Sequence, residues 1–249
     1  MYDLPELFDA TDRLWSAISV ALRALGEQPP ARLTRDLDAH ALWLSPRLYL
    51  SQSCGYPLVT RFRDRLSVVG AFSYDVPNAE GTTYASVLVC RPELVERPLR
   101  ELHRVRAAVN SLDSLSGWVS LVATVAGSGS GWGGTVRLTG GHAASLAEIA
   151  EGRADIASID AVSFELFRRH RPLSVEHVAI VGRGPRVPTL PLVAGPGAPT
   201  EQIEAMRTAV AQVVADPSMA STLALLAISG FEPLTFDDYA SVARLAPVR

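Results

Sequence analysis

The 249-residue chain is predicted to be an α/β protein, with mostly parallel sheets covered on both faces by helices. Three observations predict this class. Strands alternate with helical segments through the middle of the chain, and several strands are apolar without clear alternation, which is typical of strands buried on both faces. The composition, 48% hydrophobic and 20% charged residues, is that of an ordinary globular protein.

The first third of the chain predicts two helices and three strands. Apolar residues at helical spacing predict a helix over Leu7–Leu25, which stops at Gly26, and a shorter helix over Asp36–Leu44. A turn-rich segment, 52–57, follows the first strand. The predicted strands are Leu48–Ser51, Leu66–Phe72 and Tyr84–Arg91.

The middle of the chain repeats a strand, a polar turn and a helix three times. The strands are Arg106–Asn110, Val136–Leu138 and Ala154–Ile159. The helices that follow them are Gly117–Ala126, Ser145–Glu151 and Ala161–His170. Two further strands, Val178–Val181 and Leu190–Val193, are separated by a loop over Gly182–Pro188. Only helices are predicted after them: Glu201–Val214, Ser218–Ile228 and Asp237–Leu245.

Composition and motifs exclude several classes of function. All 23 basic residues are arginine, which rules out a Walker A loop and lysine Schiff-base chemistry. The arginines are scattered and the net charge is −3, so no nucleic-acid partner is expected. Cys54 and Cys90 lack the spacing of a zinc site, and no cofactor, metal or catalytic residue is predicted.

No apolar run is long enough to cross a membrane. The first residues carry neither a basic region nor an apolar core of a leader. As given, the chain is expected to be cytoplasmic, and to be periplasmic or lipid-anchored if a leader was removed.

Polar residues follow each of the three middle strands, where strand gives way to helix. Ligands of parallel α/β sheets bind at the carboxyl ends of the strands. We therefore expect the turns 110–116 and 139–142 and the pair Ile159–Asp160 to converge in space.

The segment Ser114-Leu115-Ser116-Gly117 is a candidate anion site. Two hydroxyls and a glycine at a helix start expose backbone N–H groups without intrahelical partners, beside the positive end of the helix dipole. Such a site needs no lysine. Plain N-capping by either serine accounts for the same residues, because serine is common at helix starts.

Three further candidates, Thr139, His142 and Asp160, lie in the other two turns. His142 follows two glycines and could donate to an oxyanion or be a structural histidine. Asp160 ends a buried strand and could cap the next helix, or accept a hydrogen bond from a protonated ligand oxygen or amine. For His142 and for Asp160, both interpretations stay open.

The order of these motifs resembles that of the phosphate and phosphonate substrate-binding proteins of ABC importers. The resemblance covers most of the chain, to about Val193. The segments that carry it are Gln52–Leu58, Gly81–Ser86, Ala108–Ser111 with Ser114–Gly117, Thr139–His142 with Ser145, and Gly152–Asp160.

The resemblance implies a two-lobed, type 2 periplasmic-binding fold with a ligand cleft between the lobes. Each lobe would be a mostly parallel sheet flanked by helices. Lobe 1 would comprise residues 1–87 and 189–249, and lobe 2 residues 88–188. The crossovers would lie near Tyr84–Arg91 and Leu190–Val193.

The resemblance also implies a small anionic ligand, bound either for uptake with an ABC transporter permease as the partner or for intracellular sensing. Ser114, Ser116 and nearby amides would hold the oxyanion, while His142 donates to it and Asp160 accepts from it. Since no arginine lies in these turns, dipoles and neutral donors would meet the charge, and a weakly charged ligand stays open. Tyr84 and Gln52 would be wall residues from the other lobe, and Tyr2 would be a further wall residue.

Two other functions stay open on the same fold. Because a fold does not settle a function, the chain could be an enzyme similar to chorismate dehydratase. It could instead bind an organic ligand such as a thiamine precursor, with Tyr84, Trp118 or Phe164 stacking on a ring.

Overall fold

The computed structural model describes residues 2–128 and 130–247. Their contacts divide the chain into two compact units, each discontinuous in sequence. Unit 1 contains the residues up to Asp75, Glu80–Thr82 and Pro188–Tyr239. Unit 2 contains Val76–Ala79, Thr83–Val187 and the residues after Tyr239. The chain thus passes between the two units mainly at 82/83 and 187/188. The lobe boundaries predicted from the sequence were 87/88 and 188/189.

Helices and strands alternate along the described chain. The helices are α1 (Phe8–Ala24), α2 (Ala39–Trp43), α3 (Gly55–Thr60), α4, α5 (His142–Ala150), α6 (Ala161–His170), α7 (Thr200–Ala215) and α8 (Ala220–Leu225). The label α4 covers three consecutive segments, π-helical Leu115–Val119, α-helical Ser120–Val122 and π-helical Ala123–Gly127. The strands are β1 (Leu50–Gln52), β2 (Ser67–Tyr74), β3 (Ala79–Glu80), β4 (Thr83–Cys90), β5 (Ala107–Val109), β6 (Val136–Leu138), β7 (Ile156–Ile159), β8 (Ala179–Pro188), β9 (Pro191–Ala194) and β10 (Ile228–Glu232). Short 3₁₀ segments are Pro5–Leu7, Pro92–Leu94, Leu99–Arg104, Pro172–Ser174, Pro217–Met219 and the longer Phe236–Leu245.

The sheet of unit 1 has the strand order β1-β9-β2-β10. Its strand pairs are antiparallel, in contrast to the mostly parallel sheet expected. The reason is that β9 lies between β1 and β2 and runs opposite to both, so that both of its ladders are antiparallel. Helix α1 covers this unit with an apolar stripe that includes Leu14, Ile18 and Leu22.

The larger sheet lies mostly in unit 2, with the order β3-β4-β7-β5-β6 and with β8 also bonded to β4. Strand β5 is parallel to β6 and to β7, whereas β4 is antiparallel to β7. The carboxyl ends of β5, β6 and β7 therefore share one edge, and α4, α5 and α6 begin there. The predicted repeat of strand, turn and helix is confirmed.

The predicted loop over Gly182–Pro188 is wrong, because β8 is continuous from Ala179 to Pro188. Glycine and proline suggested a break, but β8 is bonded only to β4 among the described strands. A strand paired on one side tolerates proline, since its other edge needs no N–H donor.

The prediction of helices alone after β9 is also wrong. Strand β10 pairs with β2, and α8 ends at Leu225, before Ala227 takes a left-handed φ of 55°. Tertiary pairing with β2 overrides the weak helical pattern there. Two helix starts also differ from the prediction. Helix α3 begins at Gly55, inside the segment 52–57 predicted as a turn, and α5 begins at His142 and not at Ser145.

Candidate functional site

The start of α4 is built around Ser114. Its Oγ accepts a hydrogen bond from Gly117 N at 3.0 Å, so the N-capping interpretation is confirmed. The first intrahelical bonds run to the Ser114 carbonyl, from Trp118 N at 3.1 Å and Val119 N at 3.0 Å. The N–H groups of Leu115 and Ser116 precede those bonds, at the positive end of a continuous helical segment. Its first turn is π-helical, a form common at functional sites.

Asn110, which directly follows β5, lies against this helix start. An added Cβ on Gly117 would be 1.8 Å from Asn110 Oδ1 and 3.1 Å from Ser114 Oγ. Only glycine therefore fits at position 117. Asn110 Oδ1 is buried and has no hydrogen-bond partner among the described residues.

His142 begins α5 and contacts α4 through its ring. Its Nε2 lies 3.0 Å from Ser116 Oγ, whereas Nδ1 is buried without a partner in the part of the chain that the structure describes. Burial lowers the pKa of His142 from 6.5 to about 4, so the ring is neutral near pH 7. When the Ser116 hydroxyl donates to Nε2, the ring proton resides on Nδ1, which is then a donor.

Asp160 follows β7 and caps α6. Its Oδ1 accepts hydrogen bonds from Val162 N at 2.9 Å and Ser163 N at 3.0 Å, and the residue is 2% exposed. Two residues before Asp160, within β7, the Ser158 hydroxyl donates to the Ser116 carbonyl at 2.6 Å. This bond ties the end of β7 to the start of α4, so the first and third turns converge as predicted.

Two more buried hydroxyls lie on this side of the sheet. Val87 pairs with Ile159 in the antiparallel ladder between β4 and β7. One residue further along the same register, Ser86 lies opposite Asp160. A Cβ on Gly184 would be 1.9 Å from Ser120 Oγ and 3.4 Å from Ser86 Cβ, so the two serines are neighbours. Both hydroxyls are buried and lack a partner among residues 2–128 and 130–247.

The remaining candidates occupy different places. Tyr84 lies in β4 of unit 2 and is fully buried. The Thr139 hydroxyl lies 2.7 Å from Ser145 Oγ and donates to the Val109 and Gly141 carbonyls, at 3.3 and 3.1 Å. Thr139 thus holds the turn between β6 and α5.

Gln52 and Tyr2 lie together in unit 1. Gln52 Nε2 donates to the Tyr74 hydroxyl at 2.9 Å, and the Tyr2 ring meets the Tyr74 ring edge-on at 5.3 Å. These side chains line a largely apolar cavity of about 280 Å³ within unit 1, which Trp15 and Phe72 also line. The aromatic Tyr74 is a residue that the sequence analysis missed.

The rings suggested for an organic ligand lie on three different elements, Tyr84 on β4, Trp118 on α4 and Phe164 on α6. Trp118 packs against Trp132 with ring centroids 6.5 Å apart, beside the apolar core of unit 2, and Phe164 lies on α6. Among the described residues, no group of three histidine, cysteine or acidic residues could hold a metal ion. Nor does any described helix combine the length and apolar character needed to cross a membrane.

The residues missed by the sequence analysis of this site are Asn110, Ser86, Ser120 and Ser158. Their positions in the sequence carry a signal. Ser86 and Ser158 are polar residues inside buried strands, and Asn110 directly follows one. Ser120 lies about one helical turn beyond Ser116. A buried hydroxyl or amide needs a partner, and in a strand that partner comes from elsewhere in the fold.

The folded protein is expected to lose stability on mild acidification because of His142. The unfolded chain takes up a proton near pH 6.5, whereas the folded ring resists protonation until about pH 4. The stabilising contribution is therefore complete above pH 6.5 and falls by up to about 3 kcal/mol as the pH approaches 4. Urea unfolding of the protein and of His142→Gln at several pH values measures it. An identical slope for both proteins between these pH values would contradict the assignment.

Comparison with known proteins identifies the family. The family model described as "ABC transporter, phosphonate, periplasmic substrate-binding protein" matches residues 56–239. No curated protein sequence matches the chain.

Solved structures show the same fold at low sequence identity. A Xanthomonas citri protein bound to ATP is 16% identical, with a TM-score of 0.73 over 97% of this chain and 95% of that one. A binding component of an ABC phosphonate transporter from Pseudomonas aeruginosa is 14% identical, with a TM-score of 0.72 over 98% and 82%. PhnD1 from Prochlorococcus marinus, in complex with methylphosphonate, is 14% identical, with a TM-score of 0.71 over 98% and 93%.

These neighbours establish the two-lobed type 2 periplasmic-binding fold, and the family model covers most of the chain. The resemblance drawn from the motifs at Gln52–Leu58, Ser114–Gly117 and Gly152–Asp160 is confirmed. The chain belongs to the periplasmic substrate-binding proteins of phosphonate ABC transporters.

Proposed function

We propose that this chain binds a small phosphonate or related oxyanion at the carboxyl edge of the unit 2 sheet. One observation carries the proposal. Four buried polar atoms without partners among the described residues belong to elements that meet at this edge: Ser86 Oγ, Asn110 Oδ1, Ser120 Oγ and His142 Nδ1. Buried polar atoms in native proteins are nearly always satisfied, so four such atoms on elements that meet at one edge suit a binding site for a polar ligand.

The chemistry of the cluster suits an oxyanion. The N–H group of Ser116 lies at the positive end of α4, the Ser114 hydroxyl retains its proton for donation, and His142 Nδ1 supplies another donor. Because these groups are buried, the neutral donors form stronger hydrogen bonds than they would in water. The resident anion of this family, a phosphonate, offers the acceptors that such donors need.

We propose binding without turnover as the role of the site. Asp160 Oδ1 is committed to two backbone N–H groups, which suits a carboxylate that holds a ligand and does not remove a proton from it. Proteins of this family deliver their ligand to an ABC permease, and we assign this chain the same partner class. The ligand of PhnD1, methylphosphonate, is a reasonable first test compound.

Isothermal titration with methylphosphonate, phosphite and phosphate tests the proposal. We expect saturable binding of at least one of them, weakened about 10- to 100-fold by Ser114→Ala, since a charge-assisted hydrogen bond contributes about 1.5–3 kcal/mol. Leu112→Ala is the matched control, because Leu112 lies in the same turn with its side chain 52% exposed. The absence of heat with all three compounds, confirmed by equilibrium dialysis, would reject this function.

A further inference from the structure

We propose that the site selects its ligand in the singly protonated form, with the P–OH group donating to the side-chain oxygen of Asn110. This inference rests on the proposed function and deepens it. It assigns Asn110 the role of a specificity-determining residue. It also defines the ligand class as an anion that carries one acidic proton near neutral pH.

The acceptors at the site carry the argument. An amide oxygen accepts hydrogen bonds and never donates, and Asn110 Oδ1 is buried without a donor among the described residues. It lies beside the helix start, where an added Cβ on Gly117 would be 1.8 Å from Oδ1 and 3.1 Å from Ser114 Oγ. Gly117 N already donates to Ser114 Oγ and so does not supply the donor for Asn110, and we assign that donor to the ligand.

A fully ionised oxyanion has no proton to donate. Its oxygens would accept hydrogen bonds from His142 Nδ1 and from N–H groups at the start of α4. They could not donate one to Asn110 Oδ1, so two acceptors would face each other without a proton between them. A singly protonated phosphonate satisfies the donors and the Asn110 acceptor at the same time. Two oxygens accept from the donors, and the P–OH group donates to the amide.

The charges that surround the site disfavour a second negative charge. The titratable groups of the elements that meet here are His142 on α5, Asp160 before α6, Asp113 in the turn after β5, and Tyr84 on β4. His142 is neutral near pH 7, and the chain has no lysine. The arginines of β6 and α6 are engaged elsewhere, Arg137 with Glu148 and both Arg168 and Arg169 with Glu165. The two arginines of β8, Arg183 and Arg186, are exposed, and Arg186 donates to Thr83 Oγ1 at 3.1 Å. Dipoles at one helix start suit one charge better than two.

The pH dependence of binding by the unaltered protein tests the inference. The dissociation constant of methylphosphonate is measured from about pH 6 to pH 9, with its second ionisation determined by phosphorus NMR in the same buffers. We expect a constant Kd below that ionisation and a rise of about tenfold per pH unit above it. In the unliganded protein the ring of His142 is neutral over this range, since burial lowers its pKa to about 4.

Methanesulfonate is the matched ligand control. It has nearly the same shape as methylphosphonate and one negative charge, but no acidic proton. We expect it to bind at least about tenfold more weakly than singly protonated methylphosphonate, with no change of Kd over the same pH range. Equal binding of the two ligands, or a Kd of methylphosphonate that stays flat or decreases across its second ionisation, would overturn the inference. Failure of methylphosphonate to bind at any pH would instead reject the proposed function.

Variants at Asn110 locate the selectivity. We expect Asn110→Ala to reduce the preference for methylphosphonate over methanesulfonate by about tenfold, whereas Leu112→Ala leaves that preference intact. Circular dichroism confirms folding of each variant. Should Asn110→Ala be unfolded, Asn110→Ser supplies a smaller acceptor and is expected to retain part of the preference. A folded Asn110→Ala protein with an unchanged preference would assign the effect to another group and contradict the role of Asn110.

Discussion

Gly117→Ala is expected to weaken methylphosphonate binding by about 100-fold or more while leaving a folded protein. The added Cβ would be 1.8 Å from Asn110 Oδ1 and 3.1 Å from Ser114 Oγ, so the amide, the cap and the first helical turn cannot all keep their positions. Since three groups proposed to contact the ligand would move together, the expected loss is about 3 kcal/mol of binding free energy. Isothermal titration measures it.

Gly141→Ala is the matched control for this prediction. Gly141 precedes His142 in the neighbouring turn, has an extended backbone and has no atom within 4 Å of an added Cβ. We expect its affinity to stay within about threefold of the parent protein. If the two alanine variants bind equally well, the tight contact of Gly117 with Asn110 has no part in binding.

Asp155→Ala is expected to destabilise unit 2 by about 1–3 kcal/mol, because it removes a nearly buried carboxylate that joins a backbone N–H group and two partly exposed arginines. Asp155 directly precedes β7, at the sheet edge opposite the site, and its side chain is 10% exposed. Its oxygens accept from Arg106 N at 2.9 Å, Nε at 3.0 Å and Nη2 at 2.7 Å. Arg91 Nε lies 3.1 Å from the same carboxylate. Urea unfolding measures the loss.

Glu93→Ala is the control for this ion pair. Glu93 also contacts Arg91, at 3.2 Å, but its side chain is 60% exposed, so we expect a change below about 0.5 kcal/mol. The hydrogen bond from Arg106 lowers the pKa of Asp155 below its usual 3.8. Its contribution is therefore complete above pH 3.8 and decreases as the pH falls further. Equal stability losses in the two variants would show that burial of Asp155 is unimportant.

Local patterns predicted the elements of unit 2 better than those of unit 1. The strand Val136–Leu138 and the helix Ala161–His170 match the structure in both bounds. In each case the hydrophobic period and the flanking turn residues agree with the final environment. Strand β10 was missed because five residues interrupted by a glycine carry too little pattern, and only pairing with β2 makes them a strand.

Only part of the candidate site could be predicted from local patterns. Ser114, Ser116, His142 and Asp160 follow strands, so their approximate convergence could be derived from the sheet rule. Ser86 and Ser120 could not be found that way, because they become neighbours only where β8 brings Gly184 against both. Cross-strand register and the packing of a helix on a sheet are long-range properties that no local window contains.

The amino-acid sequence by itself determined the α/β class, the three strand-to-helix turns and the family, because these depend on periodicity, turn chemistry and ordered motifs. The tertiary structure alone decided which side chains lack partners and which are already engaged. Asp160 and Ser114 act as caps, whereas Asn110 Oδ1 and His142 Nδ1 are buried without partners in the described chain. The physical reason is that hydrogen-bond satisfaction depends on short distances between residues far apart in sequence.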